Sequence, residues 1–123
     1  MKPTDLYSNL IADGQLSFDK EQKSLLEKLD KLNGVLIKRS KSWFKRKSIK
    51  GLYIRGEVGR GKTQMMDIFF ETLDLKKKKR IHFHRFMKLL HEDLDELSGQ
   101  KDPLKIAADN ISKDTEVLCF DEF

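Results

Sequence analysis

The chain has 123 residues, of which 38% are hydrophobic and 37% are charged, and its formal net charge is +5. Its length suits one small domain, and its composition is that of a folded protein rather than a disordered one. No apolar run approaches the roughly 18 residues of a membrane span, and acidic residues stand where a signal peptide would be apolar, so we expect a cytoplasmic protein. The single cysteine, Cys119, excludes an internal disulfide and a cysteine metal cluster.

The excess positive charge is concentrated in two segments. Residues 38–50 hold seven Lys and Arg with two aromatic residues between them, and residues 76–80 are KKKKR. Such segments attract the phosphates of nucleic acids and lipids, but solvated, lysine-rich connections have the same composition. We expect solvated connections and keep nucleic-acid contact as the alternative for residues 38–50.

The N-terminal part of the chain is predicted to be helical. Residues 6–11 are predicted to form a short helical turn, and residues 20–32 a longer amphipathic helix with leucines at helical spacing. Asp19 and Gln22 have the spacing of a capping pair at its start. Asn33-Gly34 is predicted to end this helix, and the basic residues that follow complete an N-terminal segment of residues 1–50.

From residue 51 onward, short apolar runs alternate with amphipathic helices. The predicted strands are residues 52–54, 81–84 and 117–120, and the predicted helices are residues 62–73, 86–97 and 104–111. This alternation predicts an α/β fold with a mostly parallel sheet and helices on its faces. Ligands of such sheets bind beyond the carboxyl ends of the strands, where the segment GEVGRGKT and the pair Asp121-Glu122 are expected to lie.

The segment GEVGRGKT, residues 56–63, matches the pattern G-x-x-x-x-G-K-[ST] between a predicted strand and a predicted helix. Glycines let the backbone approach a polyphosphate, so that several N–H groups face the anion at the start of the helix. Lys62 would contact the β- and γ-phosphates, and the Thr63 hydroxyl would bind Mg²⁺. The predicted ATP-binding residues are Gly56, Glu57, Val58, Gly59, Arg60, Gly61, Lys62, Thr63 and Gln64.

Two carboxylates, Asp121 and Glu122, follow the apolar strand VLCF. Packing gives no reason for such a pair, whereas Mg²⁺ with its retained waters takes a carboxylate and an attacking water needs a base. We expect Asp121 to hold the water shell of the metal and Glu122 to orient or deprotonate the hydrolytic water. The predicted catalytic residues are therefore Lys62, Asp121 and Glu122, and the predicted metal-binding residues are Thr63 and Asp121.

The histidines and methionines carry weaker signals. His82 and His84 would share one face of a strand, with His91 as a third ligand, but no carboxylate or cysteine is placed to complete a metal site, so we expect structural or surface histidines. Met65 and Met66 are expected in the core, because Phe and Ile crowd the same helix.

Four segments, in chain order, carry a resemblance to a known family: GLYIRGEVGRGKTQMMDIFF, KRIHFHRFM, DPLKIAADNI and LCFDEF. They resemble the ZapE family of AAA+-type P-loop ATPases, closely over residues 51–123 and loosely over residues 19–32. The phosphate loop marks only the superfamily, whereas the FHRFM block and the DEF ending distinguish the family. Glu57 and Gln64 depart from the usual family residues but leave the phosphate-binding atoms in place.

The resemblance implies a P-loop NTPase fold and hydrolysis of Mg-ATP, coupled to the remodelling of a protein partner in bacterial cell division, with FtsZ as a candidate partner. It also implies a homo-oligomer, because family members supply an arginine to the nucleotide of a neighbouring subunit. Members of the family continue beyond DEF with a sensor strand, that arginine and a helical lid. We therefore expect residues 51–123 to be the first part of an ATPase domain, incomplete after the DEF motif and inactive by itself.

Two alternatives stay open at this point. A DNA-linked loader or initiator ATPase would contact DNA through residues 38–50, and salt-dependent DNA binding would identify it. A non-hydrolysing interaction module would use nucleotide only to order its fold. Under that alternative, the substitution Glu122→Gln would leave the ATP turnover of the full-length protein unchanged.

Overall fold

A computed structural model describes residues 1–41 and 61–121 of the chain. The chain divides into two compact units, Met1–Leu75 and Lys76–Phe123. The predicted boundary at residue 50 and the first predicted strand, residues 52–54, lie outside the described residues, so both stay predictions. None of the helices within the described ranges has the length and apolar content that a bilayer crossing demands.

Three helices make up the described part of the N-terminal unit: α1 (Pro3–Ala12), α2 (Lys20–Lys41) and α3 (Lys62–Thr72). Each of the three packs against the other two. Helix α1 confirms the predicted helical turn and extends it at both ends. The core is formed by apolar side chains from all three helices: Tyr7, Leu26, Leu29, Met65, Ile68 and Phe69.

The start of α2 confirms half of the predicted capping pair. Asp19 Oδ1 accepts the N–H groups of Glu21 and Gln22 at 2.8 Å and 3.1 Å. In the predicted pair, the Gln22 side chain would accept the Asp19 N–H. That N–H instead donates to the hydroxyl of Tyr7 at 2.8 Å. Helix α1 thus supplies the second half of the cap, and the Gln22 side chain is left for another contact.

Helix α2 continues past its predicted end at Asn33-Gly34 and reaches Lys41. Asn33 is only 6% exposed, and its amide nitrogen donates to the carbonyl oxygen of Thr72 at the end of α3, at 3.4 Å. Gly34 does not adopt the positive φ with which a glycine ends a helix. Packing against α3 therefore overrides the local stop signal, and residues 38–41 are helical rather than part of a linker.

The C-terminal unit contains β1 (Lys78–His82), α4 (Phe83–Glu96), α5 (Pro103–Asp114) and β2 (Val117–Asp121). The two strands pair in parallel, from Lys78 opposite Val117 to His82 opposite Asp121. Gly99, at φ +88°, lies in the predicted break between α4 and α5. A mixed helix and strand unit with a small parallel sheet is thus confirmed.

The boundary between β1 and α4 differs from the prediction, which placed a strand at residues 81–84. The strand begins at Lys78, so three of the five residues of the KKKKR segment lie in the parallel ladder instead of a solvated connection. Phe83 and Phe86 begin α4, and their rings contact Phe120 of β2 edge-on, with centroids 5.6 Å and 4.9 Å apart. Both the strand pairing and this aromatic contact are made with β2, which is distant in sequence. The alternation of apolar and polar residues at 81–84 was therefore not sufficient to predict where β1 ends and α4 begins.

Candidate functional site

The predicted phosphate loop enters the described part of the chain at Gly61, directly before α3. Gly61 has φ +78° and ψ +8°, a left-handed conformation that residues with a side chain rarely adopt. Its carbonyl oxygen accepts the Met65 N–H at 3.0 Å, which opens the helix. The remaining predicted loop residues lie outside the described ranges: Gly56, Glu57, Val58, Gly59 and Arg60.

The first turn of α3 presents the polar end of the motif. Lys62 is half-buried, whereas Thr63 and Gln64 are exposed. Met65 is 1% exposed and anchors this turn in the core, as predicted, while Met66 is half-buried. The first N–H groups of a helix have no intrahelical acceptor and carry partial positive charge. An exposed hydroxyl and a lysine at such a terminus fit the predicted binding of a phosphate and its metal ion.

A side chain from α2 also lies close to Gly61. A Cβ atom on Gly61 would lie 2.5 Å from Nε2 of Gln22 and 3.6 Å from Oε1 of Gln64. The shorter distance is one that real Cβ atoms do not show, so a side chain at Gly61 would require the end of the flexible Gln22 side chain to move. The sequence assigned Gln22 only to a helix cap, because nothing in local spacing indicates a contact with so distant a residue.

Asp121, the last residue of β2, is paired with Arg80 of β1. Nε of Arg80 donates to Oδ2 of Asp121 at 2.7 Å, and Nη2 donates to Oδ1 at 3.0 Å. A bidentate, charge-assisted pair of this kind fixes the carboxylate in orientation as well as in position. Each carboxylate oxygen has a second lone pair, so Asp121 can still accept hydrogen bonds from the waters of a metal ion. Arg80 carries no motif of its own, and only the strand register reveals it.

The neighbouring thiol of Cys119 is buried, 5% exposed, and stands opposite Arg80 in the ladder. Burial raises the pKa of this thiol above its ordinary value of 9.0, and the positive charge of Arg80 opposes only part of that shift. The thiol is therefore protonated at neutral pH and unreactive, in agreement with the predicted core role.

The histidine prediction is corrected by the position of α4. His82 ends β1 and His84 lies in the first turn of the helix, so the two do not share a strand face.

Across residues 1–41 and 61–121, no group of three or more His, Cys, Asp and Glu side chains could hold a metal ion. A Mg²⁺ ion does not need three protein ligands, because it keeps several waters and binds through one or two protein oxygens plus phosphates. Glu122 lies outside the described residues, and joint binding of one ion by Thr63 and Asp121, which belong to different units, stays a prediction.

Comparison with known proteins identifies the family. The family model for AFG1-like ATPase matches residues 1–123. The cell division protein ZapE of Escherichia coli K12 is 39% identical over an alignment 140 positions long, which covers 98% of this chain and 37% of ZapE. The chain belongs to the AFG1-like ATPase family. The resemblance predicted from the glycine motif, the FHRFM block and the DEF ending is confirmed.

Further relatives share this family resemblance over shorter stretches. Lactation elevated protein 1 homolog B of Danio rerio is 37% identical over 84 residues, covering 59% of this chain and 17% of the relative. An uncharacterised protein of Schizosaccharomyces pombe is 44% identical over 79 residues, with the same coverage of 59% and 17%. This AFG1-like chain therefore spans little more than a third of the length of ZapE and a smaller share of these relatives. No solved structure matches it.

Proposed function

We propose that this chain is part of an ATPase that binds Mg-ATP at the start of α3 and hydrolyses the β–γ bond. The observation that carries the proposal is Gly61, the last glycine of the phosphate-loop pattern, in a left-handed conformation directly before a helix. Glycine dihedrals of this kind turn backbone N–H groups toward an anion at a helix N-terminus. Membership of the AFG1-like ATPase family supports the same chemistry.

Each predicted side chain has a separate task in this proposal. Lys62 neutralises charge on the β- and γ-phosphates, and Thr63 gives its hydroxyl to the metal ion. Asp121, oriented by Arg80, accepts hydrogen bonds from metal-bound waters, and Glu122 orients or deprotonates the attacking water. When bound, Mg²⁺ stabilises the negative charge that develops on the phosphate oxygens.

The biological role of the whole protein belongs to the proposal as well. One relative is named a cell division protein. We propose that ATP hydrolysis drives the remodelling of a protein partner in cell division, in the cytoplasm, and that FtsZ is the first partner to test. A homo-oligomer would allow one subunit to supply an arginine to the nucleotide of the next, a contact that raises turnover by orders of magnitude in related chemistry.

The substitution Glu122→Gln separates hydrolysis from binding. It removes the proposed base but leaves the phosphate loop unchanged, so the full-length protein should bind Mg-ATP normally while kcat falls by about 100-fold or more. Steady-state phosphate release and nucleotide titration measure the two quantities. Glu92→Gln, at an exposed position of α4, is the matched control and should keep normal turnover. Unchanged turnover in Glu122→Gln would contradict the proposed role and favour a module that does not use this residue for hydrolysis.

A further inference from the structure

The N-terminal helices reach the phosphate-loop motif through the side chain of Gln22 on α2. Its Nε2 lies 2.5 Å from the position that a Cβ atom on Gly61 would occupy. The amide group therefore occupies the space in which any other residue at Gly61 would place its side chain. A residue from a helix that carries no nucleotide-binding motif therefore lies directly beside Gly61.

The Gln22 side chain is itself held in place from α1. The hydroxyl of Tyr7 has one hydrogen to donate, and its two acceptors are Oε1 of Gln22 at 3.4 Å and the carbonyl oxygen of Asp19 at 3.3 Å. Tyr7 is only 2% exposed. The same hydroxyl accepts the Asp19 N–H at 2.8 Å, at the cap of α2. Because the amide oxygen faces Tyr7, the amide nitrogen is directed to Gly61. Buried Tyr7 thus connects α1 with the start of α2, and Gln22 lies between Tyr7 and Gly61.

We propose that Gln22 is a positioning residue for Gly61, the last glycine of the phosphate-loop motif, an inference that rests on the proposed nucleotide site. Glycine has more backbone freedom than any other residue, and freedom at Gly61 must be lost when nucleotide binds. By filling the space beside Gly61, the Gln22 amide restricts the backbone before binding, and this preorganisation raises nucleotide affinity. Residues 1–41 are then part of the nucleotide-binding apparatus rather than an appendage to it.

Two substitutions of Gln22 distinguish positioning from a general structural role. Gln22→Ala opens the space beside Gly61. Gln22→Glu keeps the size of the side chain but places a carboxylate next to the loop that would hold a triphosphate. Neither should alter the fold strongly, since Gln22 is partly exposed and the leucine core of α2 is unchanged. Their effects should therefore appear on nucleotide affinity and not on the melting temperature of the protein without nucleotide.

The test is titration of the full-length protein with a fluorescent ATP analogue and Mg²⁺. Gln22→Ala should raise the Kd about fivefold, equivalent to about 1 kcal/mol. Gln22→Glu should raise it about tenfold or more, and added salt should reduce the difference from wild type by screening the repulsion. Gln15→Glu, which introduces the same charge at an exposed position outside the helices, is the matched control and should leave the Kd unchanged.

Three outcomes would overturn the inference or its basis, and they are distinguishable. Unchanged affinity in both Gln22 variants, in a protein whose binding is abolished by Lys62→Ala, would overturn the positioning role and leave the proposed function standing. An equal loss in Gln15→Glu would also overturn it, because negative charge anywhere in the unit would then suffice. Failure of the wild-type protein to bind the analogue would overturn the proposed function itself.

Discussion

At the scale of single residues, Asp121 shows how the predicted magnesium site depends on a neighbour. Its side chain is 20% exposed, and that of Arg80 is 21% exposed, so each charge is largely removed from water. A carboxylate that is largely removed from water lowers the stability of the fold unless a cation pairs with it. Removing Arg80 would leave the desolvated charge of Asp121 without this partner. Arg80 therefore supports both the stability of the sheet edge and the orientation of a proposed metal-binding group.

The substitution Arg80→Met tests this dependence. It leaves the Asp121 carboxylate without the bidentate donors that fix it, and should destabilise the protein by about 2 kcal/mol, less than a fully buried pair because both groups keep some contact with water. Asp121→Asn in the Arg80→Met background should cost much less than it does alone. A double-mutant cycle from urea unfolding measures the coupling, and strictly additive effects would contradict the pairing.

Single residues also show what the sequence could and could not predict about the site. The left-handed glycine at residue 61 and the helix that begins at Lys62 were predictable, because the sequence pattern places a glycine directly before a helix. Arg80 and Gln22 were not, since their contacts arise from strand register and helix packing between distant segments. A sequence pattern describes a segment's own chemistry, whereas these two residues act through a neighbour.

At the scale of secondary structure, the same limit appears at the ends of elements. The helical spacing of α2 and the apolar run of β2 were sufficient to predict both elements. The end of α2 and the boundary between β1 and α4 were predicted wrongly, because Thr72 and Phe120 decide them from elsewhere in the fold. Local stop signals such as Asn33-Gly34 are weak enough for one buried contact to override them.

Gly34 provides a direct test of the continuous α2 helix. It lacks a positive φ, and a Cβ atom added there would meet nothing within 4 Å. Gly34→Ala should therefore stabilise the protein by about 0.5–1 kcal/mol, since alanine loses less backbone entropy in a helix interior. Gly14→Ala is the matched control: it has the same open space but φ +77°, so it should destabilise. A fall in melting temperature for Gly34→Ala would show that α2 ends where the sequence predicted.

At the scale of the whole molecule, the two units hold different parts of the predicted chemistry. The N-terminal unit carries the end of the phosphate-loop motif on α3, packed against α1 and α2, and the C-terminal unit carries Asp121 at the carboxyl end of a parallel strand. The α/β class was predictable from the alternation of elements alone. The support that α1 and α2 give to α3 was not, because their leucine spacing shows that they bury a face but not against which partner.

The central claim is that the segment ending at Gly61 and Lys62 binds the triphosphate of ATP. Thermal unfolding of the full-length protein with Mg-ATP tests this claim most directly. Ligand at 100 times its Kd should stabilise the wild-type protein by about 2.7 kcal/mol, seen as a rise in melting temperature. Lys62→Ala should lose that rise, while Lys28→Ala, at an exposed position of α2, should keep it. No ATP-dependent rise in the wild-type protein, or an equal rise in Lys62→Ala, would contradict the claim.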